Sequence, residues 1–236
     1  GLVRQGHHVS VITSARTDGV EFEIVQGVET HFLKGTPVGR NSDAYWFAGA
    51  RQFEQLHAEK RFDVLHNQSA GAYGIYKRSL HRKYGLPLVT SLHGTHLDVL
   101  TTSWHTDFAL ASPMGMARFA AIALDLFIRY AYRDLWLIRG SDVVIATSDA
   151  DESKYKRLYR LPDAQIRKVY NGIDTHLFAP SSDPSALQGL RERLNIRADQ
   201  KIILALARLQ KDKGVQNAIA VLPRVLAQIP ACLIVV

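Results

Sequence analysis

Short apolar runs recur along this chain, and stretches of helical periodicity separate them. No other feature constrains the fold as much. The strand candidates are Val9–Thr13, Phe62–His66, Leu88–Leu92, Val143–Thr147, Arg167–Tyr170, Ile202–Ala207 and Cys232–Val236, most of them apolar. Helical spacing covers Ser42–Glu59, Gly74–Tyr84, Met114–Ile138, Asp149–Leu158, Ser185–Leu194 and Val215–Gln228. Apolar runs of this length fit strands buried on both faces, and the helices between them supply the crossovers that parallel pairing needs. The alternation predicts an α/β fold with doubly wound parallel sheets. Residues 20–33 depart from it. Glu21–Val25 and Thr30–Leu33 flank Gly27 and read as short edge strands or a hairpin. Pro, Ser and Asp concentrate in Phe178–Pro184, the best linker candidate. The expected division is therefore an N-terminal domain over 1–178, then a linker and the first βαβ unit of a second domain over 179–236.

The run Ile202–Ala207 stops at Arg208. Lys213 and Gly214 follow, and then a helical pattern in Val215, Ala218, Ile219, Val221 and Leu222. Two cations thus bracket the turn where a strand hands over to a helix. Ligands of open α/β sheets bind at the carboxyl ends of the strands. Arg offers a planar fork that matches phosphate oxygens, and Lys a compact charge. Arg208 and Lys213 are the expected clamp for a diphosphate. Solvated surface charge is the competing reading.

Other strand ends carry candidates too. His93-Gly94-Thr95-His96 follows Leu88–Leu92. His93 is placed to bind a sugar hydroxyl or to stabilise developing charge, and Gly94 lets a ligand approach. A His93/His96 metal pair is the weaker reading, because no carboxylate partner or HExxH pattern accompanies it. His66 ends its own run, followed by Asn67, Gln68, Ser69, Gly71 and Gly74. Those residues suit a ligand-facing loop and an ordinary turn equally. Asp149 and Asp151 form Asp-x-Asp, but Ser148 is a natural N-cap and carboxylates in a first turn suit the helix dipole, so capping explains them. Arginines and aromatics interleave along Met114–Ile138. A core-packed helix with solvated arginines is favoured there over a helix resting on an acidic membrane. Gly-x-Gly-x-x-Gly, Walker A, C-x-x-C and G-x-S-x-G patterns are all absent.

A formal net charge of +7 favours anionic partners: nucleotide phosphates, acidic lipid headgroups or nucleic acid. The lone Cys232 excludes a disulfide framework and points to a reducing cytoplasm. The longest apolar stretch, Phe119–Ile128, is interrupted by Asp125 and is too short to cross a bilayer. Residues 1–6 lack the apolar region of a signal peptide. Leu2 and Val3 read as a last helical turn with Gly6 as its cap, and Ala231–Val236 as a buried strand at the other end. The expectation is a fragment without its first strand and without most of its second domain.

Together these segments resemble the retaining glycosyltransferases of family 4, which have the GT-B fold. Gly6-His7-His8-Val9-Ser10-Val11-Ile12-Thr13 is similar to the family's G-H-x-V-x-V-x-T, and Phe62-Asp63-Val64-Leu65-His66 to its F-D-V-h-H. Val89-Thr90-Ser91-Leu92-His93-Gly94 is similar to V-x-T-x-H-G, and Ser141–Ser148 to A-D-x-V-I-A-V-S. Val169-Tyr170-Asn171-Gly172-Ile173-Asp174, with Phe178 and Pro180, resembles V-x-N-G-V-D-x-x-x-F-x-P. Ala207-Arg208-Leu209 to Lys213-Gly214 resembles G-R-L-x-x-x-K-G. The resemblance implies two Rossmann-like domains, an acceptor on the first and a nucleotide-diphosphate sugar on the second. It implies that Arg208 and Lys213 bind the donor diphosphate, that His93 lies near the reacting sugar, and that no metal or other cofactor is needed. The chain departs from the family at Ala207, where Gly is usual, and at Lys211-Asp212, where Pro-Glu is usual. The family's glycine-rich loop and E-x7-E segment are absent, so this chain alone is expected not to turn over. The expected function is sugar transfer to a hydroxyl acceptor in the cytoplasm, with peripheral contact to an acidic membrane face as a further partner. A GT-B-fold epimerase or phosphorylase is the first alternative, and a non-catalytic nucleotide- or nucleic-acid-binding module the second.

Overall fold

A computed structural model describes residues 1–106, 112–181 and 183–236. Two compact units emerge. The first comprises Gly1–His96 and Leu124–Asn171, the second Leu97–Ala123 and Gly172–Val236.

The first unit opens with a 3-10 turn, Leu2–Gln5, closed by Gly6 in the left-handed conformation. Strand β1 (Val9–Ser14) follows, then β2 (Phe22–Val25) and β3 (Val28–Leu33). Of the two forms expected, edge strands or a hairpin, β2 and β3 form an antiparallel hairpin, and β3 pairs parallel with β1. Helix α1 (Asp43–Glu59) begins at Ser42, whose hydroxyl accepts the Tyr45 amide hydrogen. A second sheet is wholly parallel, in the order β4 (Leu65–Gln68), β5 (Leu88–Ser91), β6 (Val143–Ala146), β7 (Ile166–Lys168).

Both sheets contribute to one core. Ala50 and Phe53 of α1 pack with Ala72, Ile75, Leu80 and Leu86, against Ile12 of β1 and Leu65 of β4. A neighbouring cluster joins Val144 and Ala146 of β6 to Ile166 of β7 and to Tyr155 and Tyr159 of helix α7 (Asp149–Tyr159). Each fully buried side chain of this size contributes roughly 1.5–3 kcal/mol.

Local structure departs from the sequence expectation in four places. The strand expected at Phe62–His66 runs from Leu65 to Gln68 instead. Phe62 stacks on Phe53 and meets His57, so it belongs to the aromatic core rather than to the ladder. The helix expected over Gly74–Tyr84 is two short ones, α2 (Tyr73–Lys77) and α3 (Leu80–Lys83), broken by left-handed Ser79. Helix α4 (His96–Thr106) was not expected at all.

The Met114–Ile138 helix is α5 (Pro113–Arg129), a π-helical turn over Tyr130–Asp134, and α6 (Leu135–Arg139). Its aromatics do not all enter a core as expected. Tyr130 packs on the α7 cluster, but Phe127, Tyr132 and Trp136 are exposed. The π turn inserts one residue and so shifts which side chains face inward on either side of it.

In the second unit, β8 (Lys201–Ala205) and β9 (Ala231–Val235) pair in parallel and are linked by α9 (Val215–Leu226). Helix α8 (Pro184–Arg193) precedes them, capped by Asp183. Of the linker stretch Phe178–Pro184, Ser182 lies outside the described residues.

Candidate functional site

Register decides what gathers at the carboxyl ends of β4 and β5. His66 lies opposite Val89, Asn67 opposite Thr90, and Gln68 opposite Ser91. Alternation puts His66 and Gln68 on one face and Asn67 on the other. The two faces have different fates.

The inward face is structural. Asn67 and Thr90 are buried. Asn67 Oδ1 accepts the Ala72 amide hydrogen at 2.7 Å, and its Nδ2 donates to Ser69 O at 2.8 Å and to Thr90 Oγ1 at 3.0 Å. Ser141 donates to Leu137 O at 2.8 Å, so Thr90 is the donor in its 2.7 Å contact with Ser141 Oγ. This buried chain ties the β4 turn to the end of α6. It satisfies every member and rigidifies the strand ends.

The outward face carries the histidines. Ser91 Oγ lies 2.8 Å from His66 Nε2, and Gln68 Nε2 lies 3.3 Å from the same atom. Gln68 Oε1 is 2.7 Å from His93 Nε2. Burial lowers the His66 pKa, and the neighbouring His93 ring lowers it further. His93 and Gly94 are exposed at the end of β5, with Gly94 at φ 141, a conformation natural to glycine alone.

His96 is occupied elsewhere. Its Nδ1 sits 2.8 Å from Asp134 Oδ2, and Arg133 Nη2 approaches its Nε2 at 3.2 Å. A guanidinium only donates, so Nε2 accepts and Nδ1–H faces the carboxylate. Both nitrogens of His96 are thus engaged within the protein rather than in a pairing with His93 on a metal. Burial pushes the Asp134 pKa up, but hydrogen bonds from His96 and Arg133 outweigh that and hold it low.

Asp-x-Asp caps α7. Ser148 accepts the Asp151 amide hydrogen at 3.1 Å and donates to Asp151 Oδ2 at 2.8 Å, while Lys154 pairs with Asp151 Oδ1. Asp149 pairs with Lys168 and accepts from Tyr170 at 2.9 Å. Asp149 and Tyr170 raise the Lys168 pKa to about 12. Among the described residues, no cluster of three His, Cys, Asp or Glu side chains is arranged to hold a metal.

In the second unit, β8 ends at Ala205, and the Ala207 amide still donates to Val236 O at 3.0 Å. Arg208 follows, exposed, its carbonyl accepting from Gln210 at 2.7 Å. A 3-10 turn, Lys211–Lys213, leads to left-handed Gly214 and then to α9. Lys213 is exposed and lies 3.3 Å from the Asp212 carboxylate. The turn thus offers two cations beside a helix N-terminus, whose dipole also favours anions. Arg208 and Lys213 belong to one unit and His93 to the other.

The sequence grouped Gln68 with polar residues that suit a ligand-facing loop and an ordinary turn equally, and gave it no role of its own. Its role depends on a cross-strand register, and the only sequence signal is the spacing His66-x-Gln68 beside Ser91-x-His93.

The model of "Glycosyltransferase Family 4" matches residues 1–177. An uncharacterised glycosyltransferase of Methanocaldococcus jannaschii is 23% identical, covering 100% of this chain and 55% of its own length. N-acetyl-alpha-D-glucosaminyl L-malate synthase of Bacillus anthracis is 23% identical, at 100% and 55%. D-inositol 3-phosphate glycosyltransferase of Kineococcus radiotolerans is 26% identical, at 90% and 46%. The chain spans about half the length of these relatives. A solved glycosyltransferase from Rickettsia africae superposes with a TM-score of 0.64 at 15% identity, over 99% of this chain and 53% of the other. That likeness bears out the expected GT-B type of α/β fold. With three quarters of its residues inside the family's pattern, the chain belongs to glycosyltransferase family 4.

Proposed function

We propose that the complete protein is a retaining glycosyltransferase that moves a hexose-type unit from a nucleotide-diphosphate sugar to a hydroxyl acceptor. The observation that carries the donor assignment is the turn after β8, where Arg208 and Lys213 stand exposed ahead of α9. Cleaving the donor leaves negative charge on the departing diphosphate. Preplaced cations stabilise that charge most in the transition state. His93, with Gly94 beside it, faces the sugar from the β5 end. Residues 1–178 form the acceptor-side domain, and 179–236 begin the donor domain. The names of two relatives pair sugar transfer with L-malate and D-inositol 3-phosphate, which supports a hydroxyl-bearing acceptor. The reaction needs no metal; the engagement of Asp149 and Asp151 in capping and ion pairs supports that. Cys232 and the basic charge support a cytoplasmic setting with peripheral contact to an acidic membrane face.

The test is release of nucleotide diphosphate by the complete protein from a panel of nucleotide-diphosphate sugars. Arg208→Ala and Lys213→Ala are each expected to lower kcat with the preferred donor by roughly 100-fold or more. If no donor is consumed, or both variants match the wild type, the clamp assignment is wrong.

A further inference from the structure

We propose that Gln68 is a positioning residue that fixes the proton of His93 on Nε2, so that Nδ1 meets the sugar as a hydrogen-bond acceptor.

The argument rests on the chemistry of a carboxamide. Its oxygen only accepts and its nitrogen only donates. Gln68 Oε1 lies 2.7 Å from His93 Nε2, so that ring nitrogen must carry a hydrogen. Gln68 Nε2 lies 3.3 Å from His66 Nε2, so that nitrogen must be bare. Ser91 is then the donor in its 2.8 Å contact with His66 Nε2. One side chain thus sets two imidazoles in opposite senses. The run reads Ser91 O–H to His66 Nε2, Gln68 N–H to the same nitrogen, and His93 Nε2–H to Gln68 Oε1. A neutral His66 has its proton on Nδ1, the less common form of a free imidazole. The His66 pKa is lowered by desolvation, which favours the neutral ring that the run requires.

The consequence for His93 is directional. With Nε2–H committed to Gln68, its Nδ1 accepts a hydrogen bond and cannot donate one. A sugar hydroxyl facing it must be the donor. Neighbours of this kind commonly fix which nitrogen of a functional histidine is protonated. The base for Gln68 is itself firm: Asn67, next in the strand, is locked into the core from the opposite face. What Nδ1 meets rests on the transferase reading; the ring states do not.

The experiment is 15N NMR of the imidazole nitrogens in the intact protein, with Gln68→Leu and Gln68→Glu beside it. In the wild type, His93 is expected to show a protonated Nε2 and a bare Nδ1, and His66 the reverse. Gln68→Glu places only acceptor oxygens between the rings. It should pull a proton onto His66 Nε2, reverse that tautomer and raise the His66 pKa, while still accepting from His93. Turnover then tests positioning. Gln68→Leu should lower kcat on the order of 10- to 100-fold with KM for the donor little changed, and Gln68→Glu should recover much of it. The proposal is overturned if wild-type His66 carries its proton on Nε2, if Gln68→Glu leaves the His66 titration unmoved, or if Gln68→Leu turns over like the wild type. A protein that consumes no donor yet shows the predicted ring states would refute the transferase reading and leave the tautomer assignment standing.

Discussion

At the scale of single residues, the cluster around Asp134 shows how a buried charge is made tolerable. The carboxylate is 7% exposed and contacts the His96 ring at 2.8 Å and Arg133 Nε at 2.5 Å. The Arg133 guanidinium also lies 5.4 Å over the Trp46 ring. Such a group adds little net stability compared with an apolar replacement of all its members, because each ion loses its water. Removing one partner is another matter. Asp134→Ala leaves Arg133, whose side chain is 11% exposed, without its counter-ion. We expect a loss of about 3–5 kcal/mol in urea unfolding. A loss below about 1 kcal/mol would mean that water reaches Arg133 and the cluster is a surface feature. None of this was legible in the sequence, because His96 and Asp134 are brought together only by the fold. The candidates near strand ends were legible, since an apolar run that gives way to a histidine or arginine stands out in the sequence.

At the scale of elements, the pattern of apolar runs located the strands, and the helices were found wherever caps and periodicity agreed. α1 begins at Ser42 and α7 at Ser148, each with a hydroxyl accepting a first-turn amide. α4 was missed although Thr95-x-x-Asp98 has the form of a helix start. His93 and Gly94, just before it, read as a ligand contact at the end of β5, and no helical periodicity was assigned between them and Met114. The break between α2 and α3 was missed for a different reason: no Gly or Pro marks it, and Ser79 takes the left-handed turn instead. The start of α2 is fixed by packing. An ideal Cβ on Gly74 would lie 2.0 Å from Trp46 O and 2.6 Å from its carbonyl carbon. α2 therefore touches the backbone of α1, and neither side can yield by a rotamer change. Trp46 also donates from its indole to Ala70 O at 2.8 Å, just ahead of α2. Gly74→Ala must push the helices apart, at a cost of roughly 1–3 kcal/mol. For a chain of this size that lowers Tm by several degrees. An unchanged Tm would show that α2 is free to shift away from α1.

At the scale of the whole molecule, two compact units need not unfold together, and a single midpoint would then conceal two transitions. Protonation offers a way to tell them apart. His66 and His81 both have lowered pKa values, and burial is the leading cause for each. His81 is 4% exposed and stacks on Tyr76 with ring centroids 5.4 Å apart. A lowered folded-state value means that the unfolded chain binds more protons. Stability then rises with pH, is fully present above the ordinary histidine value near 6.5, and is lost as pH falls through the folded values. Both histidines lie in the first unit. The urea midpoint of that unit should therefore fall between pH 7.5 and 5.5, while the transition of Gly172–Val236 should respond less. His81→Phe keeps an aromatic ring against Tyr76 and removes one titrating group, so it should flatten the slope of the first transition alone. Fluorescence and circular dichroism followed in urea at the two pH values would decide it. A first transition that strengthens in acid would reverse the sign, and would mean that the two rings are charged in the folded state.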